Sequence, residues 1–128
     1  FDRERGRLSP LQESVPTVLP GVSGGSGADV HVHPNGRFVY VSNRQGDQST
    51  IARFAIDAAS GRVNLLGHEP TLGRTPRNFA LDASGELMLV ANQDSNTLVS
   101  FRVDAQSGAL ARLTQQPCAE GPFFVGIY

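Results

Sequence analysis

One cysteine, Cys118, is all that the 128 residues contain. No internal disulfide framework is available, and the usage suits a reducing compartment. A cytoplasmic location is therefore expected, with a signal peptide left open because the parent's N-terminus is not in view. Charge of one sign is missing as well: the formal net charge is −1. The basic residues form no stripe, which removes the electrostatic footprint expected of a protein that binds nucleic acid or an anionic membrane. No apolar run is long enough to span a bilayer as a helix. The recognised chemical motifs are absent too. GGSG at 24–27 is followed by a strand pattern, without the helix or lysine that a phosphate loop requires. No GxSxG elbow presents a serine, and Cys118 stands beside Pro117 without a nucleophile motif. His31 and His33 form an HxH pair on one strand face, but no third ligand has suitable spacing, so neither a metal nor another cofactor is expected.

What the chain has is a repeat. HPNGRFVYVSN at 33–43 returns as DASGELMLVAN at 82–92, and IARFAIDAASGRV at 51–63 returns as LVSFRVDAQSGAL at 98–110. Gly36 and Gly85 lie 49 residues apart and Phe54 and Phe101 lie 47 apart, so the first copy carries a longer 44–50 loop. A period near ~50 residues, built of strands and turns, is the pattern of β-propeller blades.

Within each copy, four short segments rich in β-branched and aromatic residues are separated by Gly, Pro, Asn and Asp. They are Ala28 to His33, Phe38 to Asn43, Thr50 to Asp57 and Arg62 to Glu69, then Arg77 to Asp82, Leu87 to Asn92, Thr97 to Asp104 and Ala109 to Gln115. An outer strand of a preceding blade is expected around Leu8 to Ser14, because FDRERGRL at 1–8 aligns with IDAASGRV at 56–63. An innermost strand, PFFVGIY at 122–128, is expected to close a ring. The predicted fold is all-β: a propeller piece of about two and a half four-stranded antiparallel blades, whereas a closed ring needs ~4 to 8. The expected divisions are 1–27 for the outer strand and loop, 28–76 and 77–121 for two blades, and 122–128 for the closing strand. The chain reads as the C-terminal part of a longer protein, with the remaining blades as its partners. Isolated, it would expose strand edges and is expected to self-associate.

Positions alike in both copies are most simply structural. Asn43 and Asn92 are read as capping the second strand through side-chain bonds to backbone, and Asp57 and Asp104 as holding turns. Positions where one copy breaks the pattern are the candidates for chemistry. His31 aligns with Ala80 and Gly126, Arg77 with Ala28 and Phe123, Arg44 with Gln93, and Asp29 with Asn78 and Phe124. The inner strand of a blade lines the central channel, so His31, Arg77, Arg44, Gln93, Asp29 and Asn78 gather from two neighbouring blades. Histidine exchanges protons near neutral pH, and arginine presents a planar fork matched to carboxylate or phosphate oxygens. Each also has a plain structural reading. His31 could be a core histidine bonded to a carbonyl, Arg77 could hold loop carbonyls after Pro76, and Arg44 could lie in solvent. Asp29 and Asn78 could only hold a turn. His33, before Pro34, and His68, on an outer strand, are read as bystanders.

ADVHVHPNGRFVYVSNR, followed by TPRNFALDASGELMLVANQDSNTLVSFRVD and GPFFVGIY, resembles the C-terminal part of the lactonase family of seven-bladed β-propellers. Its members include bacterial propeller-type 6-phosphogluconolactonases and fungal carboxymuconate cyclases. The resemblance runs from about Gly27 to Tyr128 and implies a site at the channel mouth where His and Arg handle a small anionic lactone or carboxylate. It favours His31 from VHV and Arg77 from PRNF as catalytic. Arg44 from SNR and Gln93 from ANQ follow, while Asp29 and Asn78 are expected as further substrate contacts from the comparison of copies alone. The leading expectation is lactone hydrolysis by the intact parent. A lactone-forming isomerase of the carboxymuconate cyclase type and a non-catalytic ligand- or protein-binding propeller are the alternatives. A metal-dependent gluconolactonase-type propeller would need a cluster of carboxylates and Asn at the channel, which is thin here.

Overall fold

Alternation in the second segment, FVYVSNR, sets the pattern of the whole molecule. Phe38, Tyr40 and Ser42 are buried on one face of the strand, while Val39 and Val41 are half-buried on the other. A sheet that is apolar on both faces needs a layer on each side, which is the condition of a blade stacked between neighbours. The computed structural model describes residues 2–128; Phe1, the first residue of the aligned FDRERGRL segment, lies outside the described residues.

Eight strands form: β1 (Ser26–Val32), β2 (Phe38–Arg44), β3 (Thr50–Ile56), β4 (Val63–Pro70), β5 (Pro76–Leu81), β6 (Leu87–Asn92), β7 (Thr97–Val103) and β8 (Leu110–Pro117). They make two antiparallel sheets, ordered β1-β2-β3-β4 and β5-β6-β7-β8. Each sheet is an up-and-down meander, and the two have the same register breaks in the same places. The all-β propeller architecture expected from the repeat is thus present.

Two segments expected as strands of blades completed elsewhere in the parent form no strand within this chain. Residues 8–14 and 122–128 join no ladder; in the first region the described residues hold only an isolated bridge between Asp2 and Arg7. A strand exists by its hydrogen-bonded neighbour, and neither segment meets an open edge in register. The first segment instead drapes over the outer face of the β1–β4 sheet, where Gln12 exchanges two bonds with the Val63 backbone at 3.2 and 2.7 Å. Leu11 and Val15 there line an apolar cleft with Val39, Val41 and Phe54.

The core lies between the sheets. Phe38, Tyr40 and Ile51 from the first pack with Phe79, Met88, Val90, Val99 and Phe101 from the second. Burying one such side chain stabilises by about 1.5–3 kcal/mol. Polar stitches frame this interface on the side of the β1–β2 turn. Tyr40 Oη donates to Gly108 O at 3.1 Å, and burial pushes its phenol up to about 12. The His33 ring donates from Nε2 to Gly85 O at 3.0 Å and accepts the Asn35 N–H at Nδ1, 3.1 Å. His33 is therefore no surface bystander: it is 2% exposed, because the next sheet covers its turn. Gly85 has φ +78° and Gly108 has φ +69°, and an added Cβ would stand 2.5 Å from the His33 ring and 2.7 Å from Phe38. Both positions need glycine twice over, for backbone and for space.

Candidate active site

Antiparallel meanders bring one set of connections to each end of the molecule. At one end lie the starts of β1 and β5, the loops 45–49 and 93–96, and the 71–75 connection between sheets. Two buried asparagines tie this end down. Asn43 Nδ2 donates to Thr17 O at 2.6 Å and Asn92 Nδ2 to Thr71 O at 3.0 Å, each threonine following a proline. They cap as expected, though the backbone they bond is the incoming connection. His68, also read as a bystander, donates to the same Thr17 carbonyl at 2.9 Å.

Both inner strands are irregular here. The β1–β2 register breaks between Gly27 and Val30, and the β5–β6 register between Pro76 and Asn78. Extra residues at a bulge leave the ladder and re-aim their side chains. Ala28 and Asp29 occupy the first break and Arg77 the second, so the irregularity falls on the residues singled out for chemistry. The displaced Asp29 N–H is taken by Ser42 Oγ at 3.1 Å, a partner that sequence reasoning missed.

Asp29 is the centre of the arrangement. Its Oδ2 accepts Asn78 Nδ2 at 2.6 Å, His31 Nε2 at 3.1 Å and the Phe79 N–H at 3.2 Å; its Oδ1 accepts the Val30 N–H at 2.9 Å. Asn78 Oδ1 in turn accepts the Val125 N–H at 2.7 Å. From the register break, Asp29 reaches the His31 ring two residues on along β1. The His31 ring is steadied by an edge-on contact with Phe79, centroids 4.6 Å apart, yet its side chain is 40% exposed. It is held in place and still open to a solute.

Beside this network lies a cleft of about 360 Å3 lined by Ala28, Asp29, Arg44, Arg77, Asn78 and Phe123. Arg44 reaches across β1 to donate from Nη2 to Gly27 O at 3.0 Å, and its buried Nε has no partner among the described residues. Arg77 is exposed. Among the described residues neither guanidinium is in a salt bridge. The cleft wall thus carries two guanidiniums against one carboxylate, Asp29, and neither guanidinium is ion-paired with it. Such a concave surface attracts anions.

Gln93 stands apart from this group. It sits in a single 3-10 turn, Gln93–Ser95, anchored by its N–H to Thr75 O at 2.9 Å, and is not part of the cleft wall. Alignment with Arg44 put it in the candidate set, but the second loop is shorter and turns differently. Among the described residues no three of His, Cys, Asp or Glu lie close enough to hold a metal ion.

The carboxyls with displaced pKa values lie in the turns of the opposite end. The Ser60 hydroxyl and N–H hold Asp57 below the ordinary carboxylate range, the Ser84 hydroxyl lowers Asp82, and the Ser107 N–H and hydroxyl lower Asp104. Asp57 and Asp104 are the turn-holding aspartates expected from the repeat, and Asp82 joins them.

Comparison with known proteins agrees with the architecture and the motifs. A 6-phosphogluconolactonase of Formosa agariphila is 48% identical over 94 residues, 73% of this chain and 27% of its own length. That of Photorhabdus laumondii is 34% identical over 124 residues, 97% of this chain and 36% of its own. The solved periplasmic gluconolactonase of Pseudomonas aeruginosa superimposes with a TM-score of 0.73 at 34% identity, covering 82% of this chain and 29% of that one. The chain thus spans about a third of the length of the curated relatives it matches. Residues 1–127 match the model of the lactonase family of seven-bladed β-propellers. With two complete blades, their shared register breaks and these relatives together, the chain belongs to that family.

Proposed function

We propose that the protein carrying this chain hydrolyses a small lactone bearing an anionic group. The observation that carries the reading is Asp29, which lines the cleft with Arg44 and Arg77 and at the same time bonds the held but accessible His31 ring. His31 takes a proton from water as the water oxygen attacks the lactone carbonyl carbon. Arg77 and Arg44 orient the substrate's phosphate or carboxylate and stabilise the oxyanion that develops. Collapse of the tetrahedral intermediate breaks the ring C–O bond, and the ring oxygen recovers the proton as a hydroxyl. The product is an open-chain hydroxy acid, and no cofactor enters the scheme.

The relatives' names, 6-phosphogluconolactonase and gluconolactonase, support hydrolysis over a lactone-forming isomerase. The concave, charged cleft supports an enzyme over a non-catalytic platform. The test is steady-state kinetics of the full-length protein on phosphorylated and unphosphorylated sugar lactones. Arg77→Ala is expected to raise KM more for the phosphorylated substrate. Unchanged kcat/KM in both His31→Ala and Arg77→Ala, on every lactone the wild type turns over, would sink the assignment.

The same reading makes the remaining blades the natural cover for the half-buried Leu87, Leu89 and Leu98 on the outer face of the second sheet. Expressed by itself, the chain is expected to self-associate. A stable monomer by size-exclusion chromatography would contradict this.

A further inference from the structure

Asp29 and Asn78 hold equivalent places in the two sheets, and each performs the same stitch to the segment that follows. Asp29 Oδ2 accepts the Phe79 N–H, and Asn78 Oδ1 accepts the Val125 N–H. An amide oxygen therefore suffices for the stitch, and the carboxylate at 29 calls for another reason. It coincides with the other break in the repeat: His31 stands two residues on, where the second sheet has Ala80.

The donors around Asp29 decide its chemistry. Val30 and Phe79 offer backbone N–H groups, which only donate. Asn78 has its oxygen taken by the Val125 N–H, so the atom it turns to Asp29 is its NH2. Each of these three partners gives a hydrogen to an Asp29 oxygen, so the side chain meets them as an acceptor. The fourth partner, His31 Nε2 at 3.1 Å, must then carry its hydrogen toward Oδ2. In the neutral ring this leaves the lone pair on Nδ1.

We infer that Asp29 is a positioning residue for His31: it fixes the Nε2–H tautomer, so that Nδ1 is the atom that accepts the proton from water. This departs from the expectation that Asp29 touches substrate, and it rests on the proposed hydrolysis only for its consequence in turnover. The tautomer is a property of the folded protein with or without activity.

The experiment is side-chain 1H–15N correlation NMR on the full-length protein labelled at histidine, at about pH 8, where an imidazole is neutral. It is paired with kinetics of Asp29→Asn, which keeps an amide oxygen of the kind that makes the stitch at Asn78. Wild-type His31 is expected in the Nε2–H form. In Asp29→Asn that form should lose its dominance, and kcat should fall at least about tenfold with KM within about twofold. An Nδ1–H tautomer, or exchange between both forms in the wild type, overturns the proposal even if the variant fails to fold. Unchanged kcat in a folded Asp29→Asn does the same. If His31→Ala retains lactonase activity while the wild-type tautomer is as stated, the base assignment fails and the positioning stands.

Discussion

The two ends of the molecule solve different problems. At the end that holds the β1–β2 and β3–β4 turns, both sheets repeat one solution. Asp57 caps a turn through Ser60, Asp104 does the same through Ser107, and a left-handed glycine follows each. At the other end the copies diverge: Asp29 against Asn78, His31 against Ala80, Arg44 against Gln93. Within a repeat protein, what recurs is what every blade needs in order to stand against its neighbour. What breaks the recurrence is free to serve a ligand. The expected consequence is a division of labour, with stability effects concentrated at the turn end and turnover effects at the divergent end.

The largest break in stability should come from Gly85→Ala. It forces a side chain into the left-handed region at φ +78° and against the buried His33 ring. The two costs together amount to about 2–4 kcal/mol, read as a lower midpoint in urea, with kcat of the folded fraction retained. At the opposite end, His31→Ala should lower kcat/KM by about 100-fold or more, some 2.7 kcal/mol of barrier, with Tm nearly unchanged.

Tyr40→Phe is a smaller step, about 1 kcal/mol, for the hydrogen bond to the Gly108 carbonyl. It carries a pH signature. The folded phenol lies above its ordinary value of 10.0, at about 12, so wild-type stability is complete below pH 10 and falls as pH rises through 12. The variant should flatten that alkaline limb in thermal melts.

Smallest of all is Asp104→Ala at an exposed turn. The folded carboxyl sits below its ordinary 3.8, so its contribution is present above that value and disappears as pH falls through the folded pKa. Melting curves at neutral and strongly acid pH should therefore differ less in the variant than in the wild type.

Much of this division can be read from the chain before folding. Period and turn residues predict both sheets, with strand ends falling within two residues of expectation. Comparing copies singled out four residues that line one cleft, Asp29, Arg44, Arg77 and Asn78, and His31 bonded to one of them, since divergence within a repeat is visible in one dimension. Other features depend on contacts that spacing does not encode. His33 is buried by Gly85, 52 residues away, so its turn looked like surface. Gln93 lies off the cleft wall that holds Arg44, because the loops following the two residues differ in length. The strands expected at 8–14 and 122–128 have suitable composition, but composition supplies no neighbour. The role proposed for Asp29 rests on the donor pattern around its two oxygens, which arises only on folding.

The central claim is that His31 serves the reaction while His33, two residues on, serves the blade interface. It is tested most directly by measuring kcat/KM and Tm together for His31→Ala and His33→Ala in the full-length protein. The account expects His31→Ala to lose about two orders of magnitude in kcat/KM at an unchanged Tm, and His33→Ala to lower Tm while keeping kcat/KM within a few-fold. Comparable activity loss in both variants, or full activity in His31→Ala, would contradict it.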